Sequence, residues 1–150
     1  MSKLILVSAC LAGVNCRYDG QHSTIAAIAQ LVKAGKALPV CPEVLGGLEI
    51  PRPCCEMVKD GKAFKVISKD GADVTAAFEK GAQKTLALAQ LLEIDTVVLQ
   101  SRSPSCGLGM VYDGTFSGRL VPGNGLTAGL LVKHGIRVIR DEEFETVMVD

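Results

Sequence analysis

The stretch Leu4-Ile5-Leu6-Val7-Ser8-Ala9-Cys10-Leu11-Ala12-Gly13 opens on a continuous apolar run and then breaks into small residues and glycine. A strand covered on both faces has no solvent side, so it reads as an unbroken apolar run and not as an alternation. We therefore read 4–7 as a buried parallel strand that delivers Cys10 in the loop beyond its carboxyl end. Leu38-Pro39-Val40, Thr96-Val97-Val98-Leu99 and Ile136-Arg137-Val138-Ile139 have the same character. Helical periodicity separates them: 24–34, with Ile25, Ile28, Leu31 and Val32 apolar, then 74–92, then 126–134. Strands alternating with helices predict an α/β fold, here a single three-layer domain over 1–150 with a mainly parallel, Rossmann-like central sheet.

Local signals refine this reading. Asp73 or Thr75 suits the start of the second helix, whose Phe78, Ala82, Leu86 and Leu91 are expected near one face. Gly35 and Gly135 stand where a left-handed residue would end the first and third helices. Residues 64–68 followed by Lys69-Asp70-Gly71 read as a surface strand and turn, and the Gly- and Pro-rich stretch 46–60 reads as irregular. No repeat or low-complexity tract divides the chain.

Of the 150 residues, 48% are hydrophobic and 4% aromatic, and 16 Lys+Arg offset 16 Asp+Glu. That balance argues against a dedicated nucleic-acid or membrane-surface binder, which usually carries net positive charge or a basic run. No apolar run approaches the ~20 residues of a membrane span. Lys3 and the run ending at Cys10 superficially resemble a lipoprotein signal, but the apolar part falls short of the ~7–15 residues required. We read the protein as cytoplasmic, with no membrane or large nucleic-acid partner. Six cysteines in a reducing compartment point to metal binding or catalysis more than to disulfides.

The chemistry concentrates in three segments that each follow a predicted strand: 8–20, 41–47 and 101–107. In open α/β sheets ligands gather beyond the carboxyl ends of the strands, so these loops can share one crevice. Cys10, Cys41 and Cys106 come one from each, and three thiolates around a pocket suit zinc or an iron-sulfur cluster. The alternative is that each is a small buried hydrophobe; their place in Gly/Pro/Ser loops outside helices and strands favours the metal. Cys16 fits a fourth ligand, a reactive thiol or a buried residue, and the adjacent Cys54 and Cys55 are read as structural.

Glu43, two residues from Cys41, suits a general base or a water-positioning carboxylate, or else a helix-start charge. Ser101, Ser103 and Ser105 offer hydroxyl groups beside Cys106, although serine loops also cap their own backbone. Arg17 and Tyr18 suit an anionic or planar ligand, against the alternative of an Asp-Gly turn with an exposed arginine. His22 and His134 are read as structural, and 112–118 as a turn covering the site. Neither a Walker loop nor a G-x-G-x-x-G after a strand occurs.

Taken together, Cys-Leu-x-Gly-x-x-Cys-Arg-Tyr-Asp-Gly from Cys10, Cys-Pro-Glu-x-x-Gly-Gly from Cys41, Ser-Arg-Ser-Pro-Ser-Cys-Gly from Ser101 and Tyr-Asp-Gly-Thr-Phe-Ser-Gly from Tyr112 resemble the bacterial thiouracil desulfidase family over nearly the whole chain. The resemblance implies an oxygen-sensitive 4Fe-4S cluster held by three cysteines, with one iron open. It points to Cys10, Cys41 and Cys106 as ligands, with Cys16 the alternative for one of them or a catalytic thiol. It further implies hydrolytic, non-redox loss of sulfur from a small thiolated pyrimidine. In that chemistry Glu43 activates water, Ser101 holds the pyrimidine, and Ser103, Arg17 and Tyr18 assist binding. Cluster-assembly machinery is the implied partner. The competing readings are an iron-sulfur or zinc sensor or sulfur carrier with four protein ligands, an enzyme of the same fold acting on another thiolated substrate, and a cluster-free binding module.

Overall fold

In chain order the elements are β1 (Ile5–Ser8), α1 (Ala26–Lys33), β2 (Ala37–Val40), α2 (Pro42–Leu45), β3 (Cys55–Asp60), β4 (Ala63–Ser68), α3 (Thr75–Leu91), β5 (Thr96–Leu99), β6 (Met110–Tyr112), β7 (Leu120–Pro122), α4 (Leu126–Lys133), β8 (Arg137–Arg140) and α5 (Phe144–Val147). They are taken from a computed structural model that describes residues 4–147. Lys3 of the signal-like pattern lies outside the described residues, and no described helix is long and apolar enough to cross a membrane.

The four apolar runs form one parallel sheet in the order β2-β1-β5-β8. Leu6 pairs with Leu38 on one side and Val97 on the other, and Val98 pairs with Ile139. Side chains alternate between faces, so Ile5, Val7, Val98 and Ile139 pack with Ile28 of α1 and Phe144 of α5. Leu6, Val97 and Leu99 pack on the opposite face with Ala89 of α3 and Ala128 and Leu131 of α4. Burial on both sides, worth about 1.5–3 kcal/mol for each large apolar side chain, is why the central strands β1 and β5 read as continuous apolar runs. Pro39 is accommodated because β2 is an edge strand.

Two antiparallel hairpins are added at one end. β3 pairs with β4 from Cys55↔Ser68 to Asp60↔Ala63, and β6 pairs with β7 through Val111↔Val121. Met57, Val66, Phe78 and Val111 join both hairpins to α3. The strand at Cys55–Asp60 corrects the expectation that 46–60 is irregular throughout. Pro51 and Pro53 disrupt only its first half, and the burial of Glu56 beside Met57 hides the strand from a hydrophobicity pattern.

α3 also departs from expectation at one end. Its buried stripe runs through Phe78, Gly81, Ala82, Thr85 and Ala89, while Leu91 is 78% exposed. Leu91 lies two and a half helical turns beyond Ala82 and so on the opposite face. Asp73 does serve the helix start, accepting from the Thr75 N–H at 3.0 Å and its hydroxyl at 2.6 Å. Gly35 and Gly135 have φ of 73° and 78°, the left-handed ends expected of them.

One crossing positions the site. A Cβ on Gly46 would lie 1.9 Å from the Ala77 carbonyl oxygen, and one on Gly81 would lie 1.9 Å from that of Pro42. α2 and α3 therefore meet backbone to backbone, which fixes the short helix that follows Cys41.

Candidate active site

β1 connects to β2 through α1, whereas β5, on the other side of β1, is reached by way of α3 on the opposite face. The reversal opens a crevice beyond the carboxyl ends of β1 and β5, the place where open α/β sheets bind ligands. A cavity of about 450 Å³ occupies it, and Cys10, Cys16, Cys41, Cys106, Glu43 and Ser101 all line it, as do Ser103, Arg17 and Tyr18.

Cys10 stands in a single 3-10 turn, Ala9–Ala12, and not in an irregular loop as expected. Its thiol donates to Gln100 Oε1 at 3.0 Å, and the Gln100 N–H donates to Ser8 Oγ at 3.0 Å, so β1 and β5 are stitched together where they end. Ser8 Oγ in turn donates to Cys106 Sγ at 3.6 Å. Cys41 follows β2 directly, and its thiol donates to the Cys16 carbonyl at 3.7 Å. The Cys16 thiol lies near enough to those of Cys10 and Cys41 for both to influence it.

The third loop is cast against the start of α4. The Leu126 N–H donates to the Pro104 carbonyl at 2.8 Å, those of Thr127 and Ala128 to the Ser105 carbonyl at 2.9 and 3.1 Å, and that of Gly125 to the Gly107 carbonyl at 2.7 Å. Ser105 and Thr127 share a buried hydroxyl–hydroxyl bond of 2.8 Å. Ser103 Oγ accepts the N–H groups of Ser105 at 3.2 Å and Cys106 at 2.6 Å, which leaves its proton as its remaining function. The Ser101 N–H is held by Asp141 Oδ1 at 3.1 Å, and Ser101 is among the residues that line the cavity.

Glu43 projects from α2, directly after Pro42 in the first turn. Its Oε2 accepts from Arg52 Nη2 at 2.8 Å. Arg17 is engaged closer to home, with Asp19 at 3.4 Å and Ser23 at 2.9 Å, so the turn that the sequence offered as an alternative is present at the rim. Tyr112 and Phe116 close the far side. The buried Glu56 carboxylate holds that hairpin turn by accepting the N–H groups of Gly114 at 2.9 Å and Phe116 at 3.2 Å, with Phe116 at a φ of 57°. His22 and His134 make only local bonds, with Thr24 and the Leu130 carbonyl, in keeping with structural roles.

Three of the site thiols, those of Cys16, Cys41 and Cys106, are held toward their protonated form. The nearby Cys10 thiol, with burial adding and Cys41 and Arg52 opposing, moves Cys16 up to about 11. The nearby Cys16 thiol, then burial, push Cys41 well above the thiol range, and burial takes Cys106 up to about 12. A metal centre binding here must displace protons.

The donor set fits an iron-sulfur cluster. All six cysteines are free thiols and all six line the cavity, with no histidine in its lining. Among the described residues no three Cys, His, Asp or Glu side chains form a group placed to hold one metal ion. A cluster instead takes its thiolates at separate corners, as sulfurs arriving from three separate loops would provide.

Residues 5–143 match the 2-thiouracil desulfurase family. The chain belongs to that family. It is 43% identical over 152 residues to the uncharacterized protein YbbK of Bacillus subtilis (strain 168), a match covering 97% of this chain and 100% of that one. It is also similar to the solved structure of the 4Fe-4S-dependent thiouracil desulfidase TudS (DUF523Vcz), with a TM-score of 0.89 and 41% identity over 98% of this chain and 96% of that one.

In this 2-thiouracil desulfurase family member the cavity also holds residues that the sequence did not single out. Arg52, Gln100, Asp141 and Glu56 all line it. So do Cys54 and Cys55, read from the sequence as structural; the Cys55 thiol is pushed up to about 11 by burial, with the Glu43 charge adding to it. Only Gln100 and Asp141 had a positional signal, each directly following a strand end on the sheet's carboxyl side.

Proposed function

We propose that this protein removes sulfur from a small thiolated pyrimidine, converting thiouracil to uracil and sulfide by a hydrolytic, non-redox reaction that depends on a 4Fe-4S cluster. The carrying observation is the convergence of Cys10, Cys41 and Cys106, from three different loops, in one cavity with Glu43 and Ser101. Those three cysteines would hold the cluster, with Cys16 the alternative for one of them. When bound, the cluster supplies an open iron, a soft Lewis acid suited to a thiocarbonyl sulfur.

The chain's own groups supply the rest. Glu43 Oε1, the oxygen not engaged by Arg52, takes a proton from water, whose oxygen forms a bond to the ring carbon as the carbon–sulfur bond breaks. Water and the thiocarbonyl become a carbonyl and hydrogen sulfide, so no electron is gained or lost. Ser101 donates to a ring oxygen or accepts from a ring N–H, its backbone fixed by Asp141. The free proton of Ser103 can supply a second bond, and Arg17 and Tyr18 form the entrance. The reading carries with it a cytoplasmic setting, cluster delivery by assembly machinery, and no large nucleic-acid substrate.

The test is iron and acid-labile sulfide content after anaerobic reconstitution, followed by assay of sulfide and uracil released from thiouracil without reductant. About four irons per chain with turnover is expected; absence of stable iron would sink the reading. The nearness of Cys16 to both Cys10 and Cys41 favours one rival, a closed four-thiolate centre in a sensor or sulfur carrier. Cys16→Ser separates the two, because a closed centre loses its iron whereas the three-cysteine centre keeps it.

A further inference from the structure

The carboxylate assigned here as base is not free to swing. Arg52 reaches it with Nη2 at 2.8 Å, and the same nitrogen donates to the Cys16 carbonyl at 3.1 Å while Nη1 donates to the Glu49 carbonyl at 3.0 Å. The guanidinium thus joins the loop after β1, the carboxylate on α2 and the chain beyond that helix. The side chains of Arg52 and Glu43 are only 6% and 16% exposed. An ion pair on an open surface contributes little, but an enclosed, charge-assisted bond fixes a rotamer. The Arg52 N–H is also bound, to the Tyr18 carbonyl at 2.8 Å, so the side chain extends from a backbone that is itself anchored to the rim.

We propose that Arg52 is a positioning residue for the hydrolysis, a clamp that sets Glu43 in register with the loop carrying Cys16. The inference rests on the reading of Glu43 as the base. With Oε2 engaged, the carboxylate can turn only about that bond, and Oε1 is the oxygen left for water. The Cys16 carbonyl is the pivot of the arrangement, because it also accepts from the Cys41 thiol. One guanidinium therefore registers the base against two of the cysteine-bearing loops. A lysine has a single compact ammonium and no planar fork, so it cannot hold all three acceptors at once.

The test compares Arg52→Gln and Arg52→Lys with Glu43→Gln and the Arg52→Gln/Glu43→Gln double variant, all on reconstituted protein. Arg52→Gln is expected to lower kcat about 100-fold, the scale of a misplaced general base, with KM changed less than about threefold and iron per chain unchanged. Arg52→Lys is expected to lower kcat at least about tenfold despite keeping the charge. In the Glu43→Gln background the Arg52 substitution should change the residual rate less than about twofold, since residues acting through one group are not additive. Losses that multiply in the double variant, or iron content that falls in step with kcat, would overturn the proposal. The clamp is also read without turnover, by hydrogen exchange of the apo-protein. Amides at 16–20 and 43–49 should exchange faster in Arg52→Gln, and unchanged exchange overturns the clamp. A wild-type protein that takes up iron yet releases no sulfide would count against the proposed function, while the exchange result still decides the clamp.

Discussion

At the scale of single residues the site divides sharply between groups that are committed and groups that are available. Ser103 has two N–H groups on its oxygen, Arg17 is engaged with Asp19 and Ser23, and Glu43 is held at one oxygen. The Ser101 hydroxyl, the Ser103 proton and Glu43 Oε1 are what remains to act on a substrate. Glu43→Gln should therefore lower kcat by about 100- to 10,000-fold while the iron content stays at the wild-type level, measured on the same reconstituted sample. Glu43 was legible in the sequence because it sits two residues from a cysteine in a Cys-Pro-Glu run. Arg52 was not, since two of its three acceptors are backbone carbonyls, which carry no residue identity for a sequence to display.

At the scale of elements the decisive contact is the crossing of α2 and α3. Gly46 and Gly81 each leave room for a carbonyl oxygen where a side chain would stand. Gly81→Ala puts a methyl group into the Pro42 carbonyl. It should cost about 1–3 kcal/mol of stability, by thermal or denaturant unfolding, as overpacking does. Activity should fall further than stability alone explains, because Glu43 rides on the displaced helix. A glycine at each position is visible in the sequence, but that the two face each other is not: they are brought together by the path of the chain between β2 and α3. The same limit hid β3, whose partner strand and buried Glu56 give it reasons to be extended that its own composition lacks.

At the scale of the molecule the candidate centre sits at the edge of the cores: Cys10 and Cys16 belong to one apolar cluster and Cys106 to another, while the rest of each cluster runs along the sheet and its helices. Three apolar clusters hold the sheet, its helices and the hairpins together, while most of the site cysteines' polar bonds lie among the loop ends. Chelation of iron from the reconstituted protein should therefore lower the melting temperature without unfolding the chain at 25 °C, as circular dichroism before and after removal would record. A bound group that stabilises only the folded state raises its melting point by mass action, and its removal reverses that. The alternation of apolar runs and helical periods made the α/β class readable from the first strand onward. The order β2-β1-β5-β8, and hence which loops become neighbours, follows from how the crossovers pack on opposite faces.

The start of α4 carries a consequence for electrostatics. The positive end of a helix dipole is a common receptor for negative charge, through the unpaired N–H groups of its first turn. Here the first-turn N–H groups of Leu126, Thr127 and Ala128 are already bound to the carbonyl oxygens of Pro104 and Ser105. An anion that forms in the cavity therefore finds no compensation in those three N–H groups. α4 spends its dipole on the shape of the loop and has none of those N–H groups left to offer the charge.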